Sequence, residues 1–209
     1  MRIWGAFSFS VALAACGTSG VDDSVIGATI ASFRTEGFSQ RFVALSDARA
    51  PVLQIGFVRR QEGGNVLLER RNGAFEYWLS PDGAHIILQD GVLHGTRGLG
   101  EGLLASELSE PLRHIKGLEP GFSDRFHTYL NGNDEAVTRT FRCKFELGEI
   151  TDVTVEGGIV RTRQMLENCR SLDQEFDNIY WVDPTTRQIV QSRQWAGPFV
   201  GSISTRIVK

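Results

Sequence analysis

The sequence predicts an all-β domain, a meander-rich curved sheet or incomplete barrel with at most one or two short helices. Two observations predict it. Segments rich in β-branched and aromatic residues recur at intervals of about ten residues, separated by turn signals such as Asn72-Gly73, Asp82-Gly83 and Asp90-Gly91. Within them apolar and polar residues alternate with period two: Phe141, Cys143, Phe145 and Leu147 stand against Thr140, Arg142, Lys144 and Glu146. So many strands must bury one face against another, which curls or stacks the sheet.

The chain opens on Arg2 and an apolar run that ends in Leu13-Ala14-Ala15-Cys16, the pattern of an export signal closing on a lipobox. The run is too short for a permanent membrane helix. Residues 1–15 are read as a lipoprotein signal peptide, residues 16–24 as the lipidated Cys16 with a small, polar tether, and residues 25–209 as a single β-rich domain. A diacylglycerol thioether plus an N-acyl chain on Cys16, at about 0.8 kcal/mol per buried CH₂, would anchor the protein to a membrane surface. An ordinary secretory signal ending at Ala12-Leu13-Ala14 would instead leave Cys16 free. Parity speaks against that: of three cysteines, giving Cys16 to lipid leaves Cys143 and Cys169 as a pair. A cytosolic chain would keep both thiols reduced, so the disulfide expectation depends on export.

The elements then follow in order. Val25, Ile26, Thr29, Ile30 and Phe33 could stripe one face of a helix over residues 24–34. Strands are expected at 52–60 and, after a turn at Gly63-Gly64, at 66–71; Asn72-Gly73 is the strongest hairpin signal and returns the chain along 75–80. Ser80-Pro81-Asp82-Gly83 suits a β-turn into 85–89, and Asp90-Gly91 turns it again into 92–96. In 75–79, Phe75, Tyr77 and Leu79 share one face, Glu76 and Trp78 the other. A short helix is plausible over 103–108. Longer strands are expected at 137–147, 153–156 and 159–166, the last two joined by Gly157-Gly158. Segments 179–182 and 188–195 meet across Asp183-Pro184-Thr185-Thr186, and 199–208 closes the chain.

Composition excludes several functions. A net charge of −3, with no basic patch carrying interleaved aromatics, argues against a nucleic-acid partner. About 190 residues remain after the signal, enough for one core. His85, His94, His114 and His127 stand apart from carboxylates and cysteines at ligand spacing, so neither metal nor other cofactor is expected beyond the lipid on Cys16. Gly98-Leu99-Gly100-Glu101-Gly102 lacks the Lys-Ser/Thr of a phosphate loop and reads as a strand connection. Carboxylate pairs such as Glu62 with Glu69 or Asp173 with Glu175 carry no spacing information for glycoside hydrolysis. No Gly-x-Ser-x-Gly elbow occurs, and no catalytic residue is assigned.

What remains is aromatic residues beside polar ones: Tyr77-Trp78, Tyr180-Trp181, and Trp195 after Arg193-Gln194. Adjacent strand residues face opposite ways, so one ring of each pair belongs to the core and the other can stack on a sugar. Trp78, Trp181, Arg193 and Trp195 are the candidate contacts for a glycan or partner, with Gln194 as a further hydrogen-bonding group.

The lipobox, Tyr77-Trp78-Leu79-Ser80-Pro81-Asp82-Gly83, Asp90-Gly91-Val92-Leu93 with Thr96-Arg97-Gly98-Leu99, and Tyr180-Trp181-Val182-Asp183-Pro184 leading to Ser192-Arg193-Gln194-Trp195 and Pro198 resemble the YjbF family over nearly all of the mature chain. One departure is Arg187, where that pattern leads us to expect a glycine. The resemblance implies an all-β lipoprotein held in the inner leaflet of the outer membrane and facing the periplasm. Gly17 agrees, since an aspartate there is the usual inner-membrane retention signal. It further implies a non-enzymatic accessory in exopolysaccharide or capsule production that contacts the polymer or its export machinery. A periplasmic lyase or hydrolase, or an assembly factor for envelope proteins, is the competing class.

Overall fold

Among the residues that the computed structural model describes, 37–133 and 135–208, twelve strands form one antiparallel sheet in the order β5-β4-β3-β2-β1-β12-β11-β10-β9-β8-β7-β6. Residues 1–36, where a signal peptide, a lipidated Cys16 with its tether and a helix over 24–34 are expected, lie outside the described residues. The strands are β1 (Val52–Phe57), β2 (Glu62–Asn72), β3 (Phe75–Leu79), β4 (His85–Gln89), β5 (Val92–Arg97), β6 (Leu103–Ser106), β7 (Gly121–Leu130), β8 (Ala136–Val155), β9 (Gly158–Arg170), β10 (Glu175–Val182), β11 (Ile189–Trp195) and β12 (Ser202–Ile207). Helix α1 spans Gln40–Asp47 and α2 spans Ser109–Gly117.

The order is a meander whose two halves are joined by β1 pairing with β12. Its edges, β5 and β6, are neighbours in the chain, and they meet to make a nearly closed barrel. The seam is bonded by side chains reaching carbonyls of β6. His94 Nδ1–H donates to Ser106 O at 2.9 Å, Arg97 Nη1 to Leu104 O at 3.0 Å, and the Thr96 hydroxyl to Leu103 O at 3.4 Å. A Cβ on Gly95 would stand 2.8 Å from Leu104 O, so only glycine lets the edges approach this closely.

The interior holds two apolar clusters. One draws Leu53, Ile55, Val66, Trp78, Ile86, Leu93, Leu103 and Ile203 from around the barrel; the other is built on Phe141, Cys143, Phe145, Met165, Phe176 and Tyr180. Leu108 and Ile115 bring α2 into the second cluster, and His114 stacks on Phe145 with centroids 4.8 Å apart. Outside the wall, α1 starts at Ser39, whose hydroxyl accepts from Phe42 N–H at 3.2 Å, and lays Phe42 on Leu67 and Leu79.

Strands β8 and β9 outrun their neighbours. Between Leu147 and Ile150 two residues of β8 oppose one of β9, a bulge that bends the hairpin. Gly148 sits at the bend, where a Cβ would come 2.8 Å from Gln164 Oε1. Beyond the bend, Val153 and Val155 pack on Trp181, Val190 and Ile207, so the hairpin forms an arm over the wall at β10–β12.

Several expectations need correction. Gly63-Gly64 is strand rather than turn, and the reversal falls on residues 58–61, where Gln61 takes φ 54°. Residues 103–106 are strand, with the helix following at Ser109–Gly117. The segments expected at 137–147 and 153–156 are one bulged strand of 20 residues. Strand β7 escapes the sequence pattern because its faces are inverted: Ser123, Arg125, His127 and Tyr129 are buried, while Phe122 and Phe126 are 57% and 42% exposed. Leu147, expected in the core, is 40% exposed at the arm's bend.

Candidate functional site

Cys143 and Cys169 stand directly opposite in the β8–β9 ladder and form a buried disulfide. Beside it lies a polar network. Arg125 Nη1 donates to both oxygens of Glu167 at 2.7 and 2.8 Å, and the same carboxylate accepts from Asn178 Nδ2 at 2.7 Å and the Tyr180 hydroxyl at 2.8 Å. Arg125 Nε donates to His127 Nε2 at 2.8 Å, which leaves Nδ1–H to donate to the Tyr129 hydroxyl at 2.7 Å. Burial works against the Arg125 charge, but Glu167 and Tyr180 outweigh it and hold the guanidinium protonated. Burial, seconded by Arg125, pushes His127 well below the ordinary histidine range. Burial also lifts the Tyr129 hydroxyl, up to about 12. These groups are locked to one another behind the wall, out of reach of any polymer. Cys143, Glu167 and Cys169 lie close enough together to suggest a metal site, but the disulfide has used both thiols.

The accessible chemistry is on the outer wall, where β2 to β5 form an open cleft of about 670 Å³ lined by Arg41, Glu69, Arg70, Tyr77, His85, Ile87, His94 and Arg97. Cross-strand register builds it. Arg70 pairs with Tyr77 and Tyr77 with Ile87, while His85 pairs with Arg97 one row away. Two bulges complete the lining. Glu69 is the extra residue between Leu68 and Arg70, and His94 the extra residue between Leu93 and Gly95.

Three arginines thus face one carboxylate. Glu69 is already bonded by Arg41 and by His85 Nε2, the latter at 2.8 Å. Burial, then the fields of Arg41, Arg70 and Arg97, lower the His85 pKa, so the arginines act on a shared space. Burial likewise lowers His94, against the bond to Ser106. Arg70 lies over the Tyr77 ring at 3.7 Å from its centroid and has no carboxylate or carbonyl partner among the described residues.

The residues singled out in the sequence do not converge on one surface. Trp78 is 5% exposed inside the barrel, and its indole N–H donates to Glu76 at 3.1 Å. Trp181 does face outward, but the arm covers it and leaves 8% exposed. Both are core residues with little ring to offer a sugar. Gln194 is buried and spans to β5, accepting from Leu93 N–H at 2.7 Å and donating to Gly91 O at 3.1 Å. Trp195 is half-buried and stacked on Phe176 at 5.9 Å; Arg193 is half-buried on β11. The outward member of the first aromatic pair is Tyr77, on the face that Arg70 and His85 share. Of the carboxylates considered for hydrolysis, Glu69 is tied up in the cleft and Asp173 is held by Arg139 at 2.8 Å.

Comparison with known proteins bears on this architecture. The family model described as group 4 capsule polysaccharide lipoprotein GfcB, YjbF, matches residues 31–208. The chain belongs to the YjbF family. The uncharacterized lipoprotein GfcB of Escherichia coli strain K12 is 24% identical over 186 residues, covering 85% of this chain and 87% of GfcB. The crystal structure of the hypothetical lipoprotein YmcC from Escherichia coli K12 has the same fold, with a TM-score of 0.68 at 21% identity, covering 81% of this chain and 89% of that one. Arg187 adopts φ 60°, the left-handed region a glycine would favour, and its guanidinium donates to Lys116 O and Gly117 O at the C-terminus of α2.

Proposed function

We propose that this protein is a lipid-anchored envelope accessory in capsule or exopolysaccharide production, acting on the polymer or its export machinery without chemical catalysis. The observation that carries the reading is the match of residues 31–208 to the capsule lipoprotein family. In this reading Cys16 bears the diacylglycerol and N-acyl chains, and the barrel faces the periplasm from the inner leaflet of the outer membrane. Support for a non-catalytic role comes from two sides: the interior groups Arg125, His127 and Glu167 are at most 1% exposed and bonded to each other, and in the cleft Glu69 is already bonded by Arg41 and His85. The cleft is an open, charged wall suited to holding a polymer as it passes.

Deleting the gene and measuring surface polysaccharide tests the process. Loss or shortening of surface polymer, restored by the wild-type chain and not by Cys16→Ala, is the expected result; unchanged polymer would overturn the reading. Incubating the purified full chain with the cell's own polysaccharide tests the non-catalytic part, where shortened chains would point to a lyase or hydrolase.

A further inference from the structure

We infer that the cleft on the β2–β5 wall is a binding site for anionic sugar units of a polysaccharide, with Arg70 taking the acidic group beside the ring of Tyr77. The inference rests on the envelope-accessory reading and names the class of polymer.

The first observation is that Arg70 is a planar cation without an acceptor among the described residues. Its guanidinium carbon lies 3.7 Å from the Tyr77 ring centroid, a contact that keeps the cation at the ring and leaves its N–H fork for a ligand oxygen pair. A second groove among the described residues makes the contrast. It crosses β7–β10 with about 770 Å³ and contains Arg142, Lys144 and Arg170, yet these pair with Asp124, Glu146 and Glu175 at 2.9, 2.8 and 3.5 Å. That groove is electrostatically closed on itself, whereas the β2–β5 cleft has more cation than it can neutralise.

The second observation is the flanking charge. Arg41 and Arg97 line the cleft with Arg70, and the fields of all three reach His85, another of its lining residues. Arg97 spends only Nη1 on the seam carbonyls of Thr96 and Leu104. A concave surface with like charges converging focuses positive potential and draws in an anion. The third observation is shape: the cleft is open and about 670 Å³, room for a sugar unit beside the half-buried Tyr77. A uronate carboxylate and a phosphodiester link present the same oxygen pair to Arg70.

The test is binding of oligosaccharides to the detergent-solubilised full chain. The probes are a galacturonate oligomer, the same oligomer with its carboxylates methyl-esterified, a sugar-phosphate oligomer, and vesicles containing anionic phospholipid, the vesicles being offered to the Cys16→Ala chain so that no acyl anchor inserts. At least one of the two acidic oligomers should bind, and which of them does identifies the source of the anion. The neutral ester should bind much more weakly, and binding should fall as salt rises. Arg70→Gln should weaken binding about tenfold, the worth of one charge-assisted hydrogen bond, with its unfolding curve unchanged, while Arg142→Gln in the other groove should leave binding as it was. Equal binding of the neutral ester, binding of vesicles alone, no binding of either acid, or an equal loss in Arg142→Gln would each overturn the inference. A gene deletion that still lowers surface polymer would then leave the accessory role standing, so the two failures are distinguishable.

Discussion

Arg125 and Glu167 meet inside the barrel with one terminal nitrogen 2.7 and 2.8 Å from the two carboxylate oxygens, and both side chains are at most 1% exposed. The pair ties β7 to β9 across the intervening β8, and Asn178 and Tyr180 extend the bonding to β10. Because both oxygens of the carboxylate are satisfied, the desolvation cost of the two charges is offset by bonds that exist only in the rolled sheet.

Breaking one partner should therefore be severe. Glu167→Gln leaves Arg125 charged and uncompensated, and is expected to lower the unfolding free energy by about 3–5 kcal/mol. Urea denaturation measures this, and a midpoint equal to wild type would show that the pair adds nothing to stability.

Stability should also fall with acid in a defined window. The folded state holds His127 neutral with its pKa far below the ordinary value, so below about pH 6.5 the unfolded chain binds a proton that the folded chain refuses. The contribution is present above that pH and lost as pH falls toward the folded value, at up to about 1.4 kcal/mol per pH unit. His94, also lowered, acts in the same direction. Comparing unfolding free energies between about pH 7 and about pH 5 should show a shallower slope in His127→Gln; identical slopes would remove His127 from the explanation.

The disulfide closes a loop between positions 26 residues apart. In the chain-entropy model its loss costs roughly 3–4 kcal/mol. The Cys143→Ala, Cys169→Ala double variant should show that drop in thermal or chemical unfolding, and wild type treated with reductant under denaturing conditions should match it. A variant as stable as the oxidised protein would contradict the prediction.

The seam between β5 and β6 should be sensitive to one methyl group. Gly95→Ala places a Cβ against Leu104 O, so the two edges must part, at a cost of about 1–3 kcal/mol. Amide hydrogen exchange should accelerate in β5 and β6 more than in β9 and β10. Uniform exchange across the barrel would show that the edges do not depend on that contact.

Much of the wall is legible in the residues themselves. The hairpins around Asn72-Gly73 and Asp90-Gly91, the alternation that puts Phe141, Cys143 and Phe145 inward, and the partnership of Cys143 with Cys169 follow from turn chemistry, side-chain period and cysteine parity. The site is less legible. Alternation separates the two faces of β3 correctly, yet it points to Trp78 rather than Tyr77 as the contact residue, because period two distinguishes two faces without saying which one the sheet will roll around.

What the sequence determined by itself is therefore local: where most of the strands run, the hairpin turns at Asn72-Gly73 and Asp90-Gly91, which residues of a strand share a face, and that the class is all-β. Tertiary structure alone decided the rest. Bulges at Glu69 and His94 bring Arg70, Tyr77 and His85 into one cleft, and a bulge near Gly148 folds an arm over Trp181. Strand β7 hides its charged face around Glu167 and leaves its phenylalanines outside, reversing the usual reading. The physical reason is that burial belongs to the closed barrel: a polar side chain can be interior only once a partner from a distant strand satisfies it, and no local pattern contains that partner.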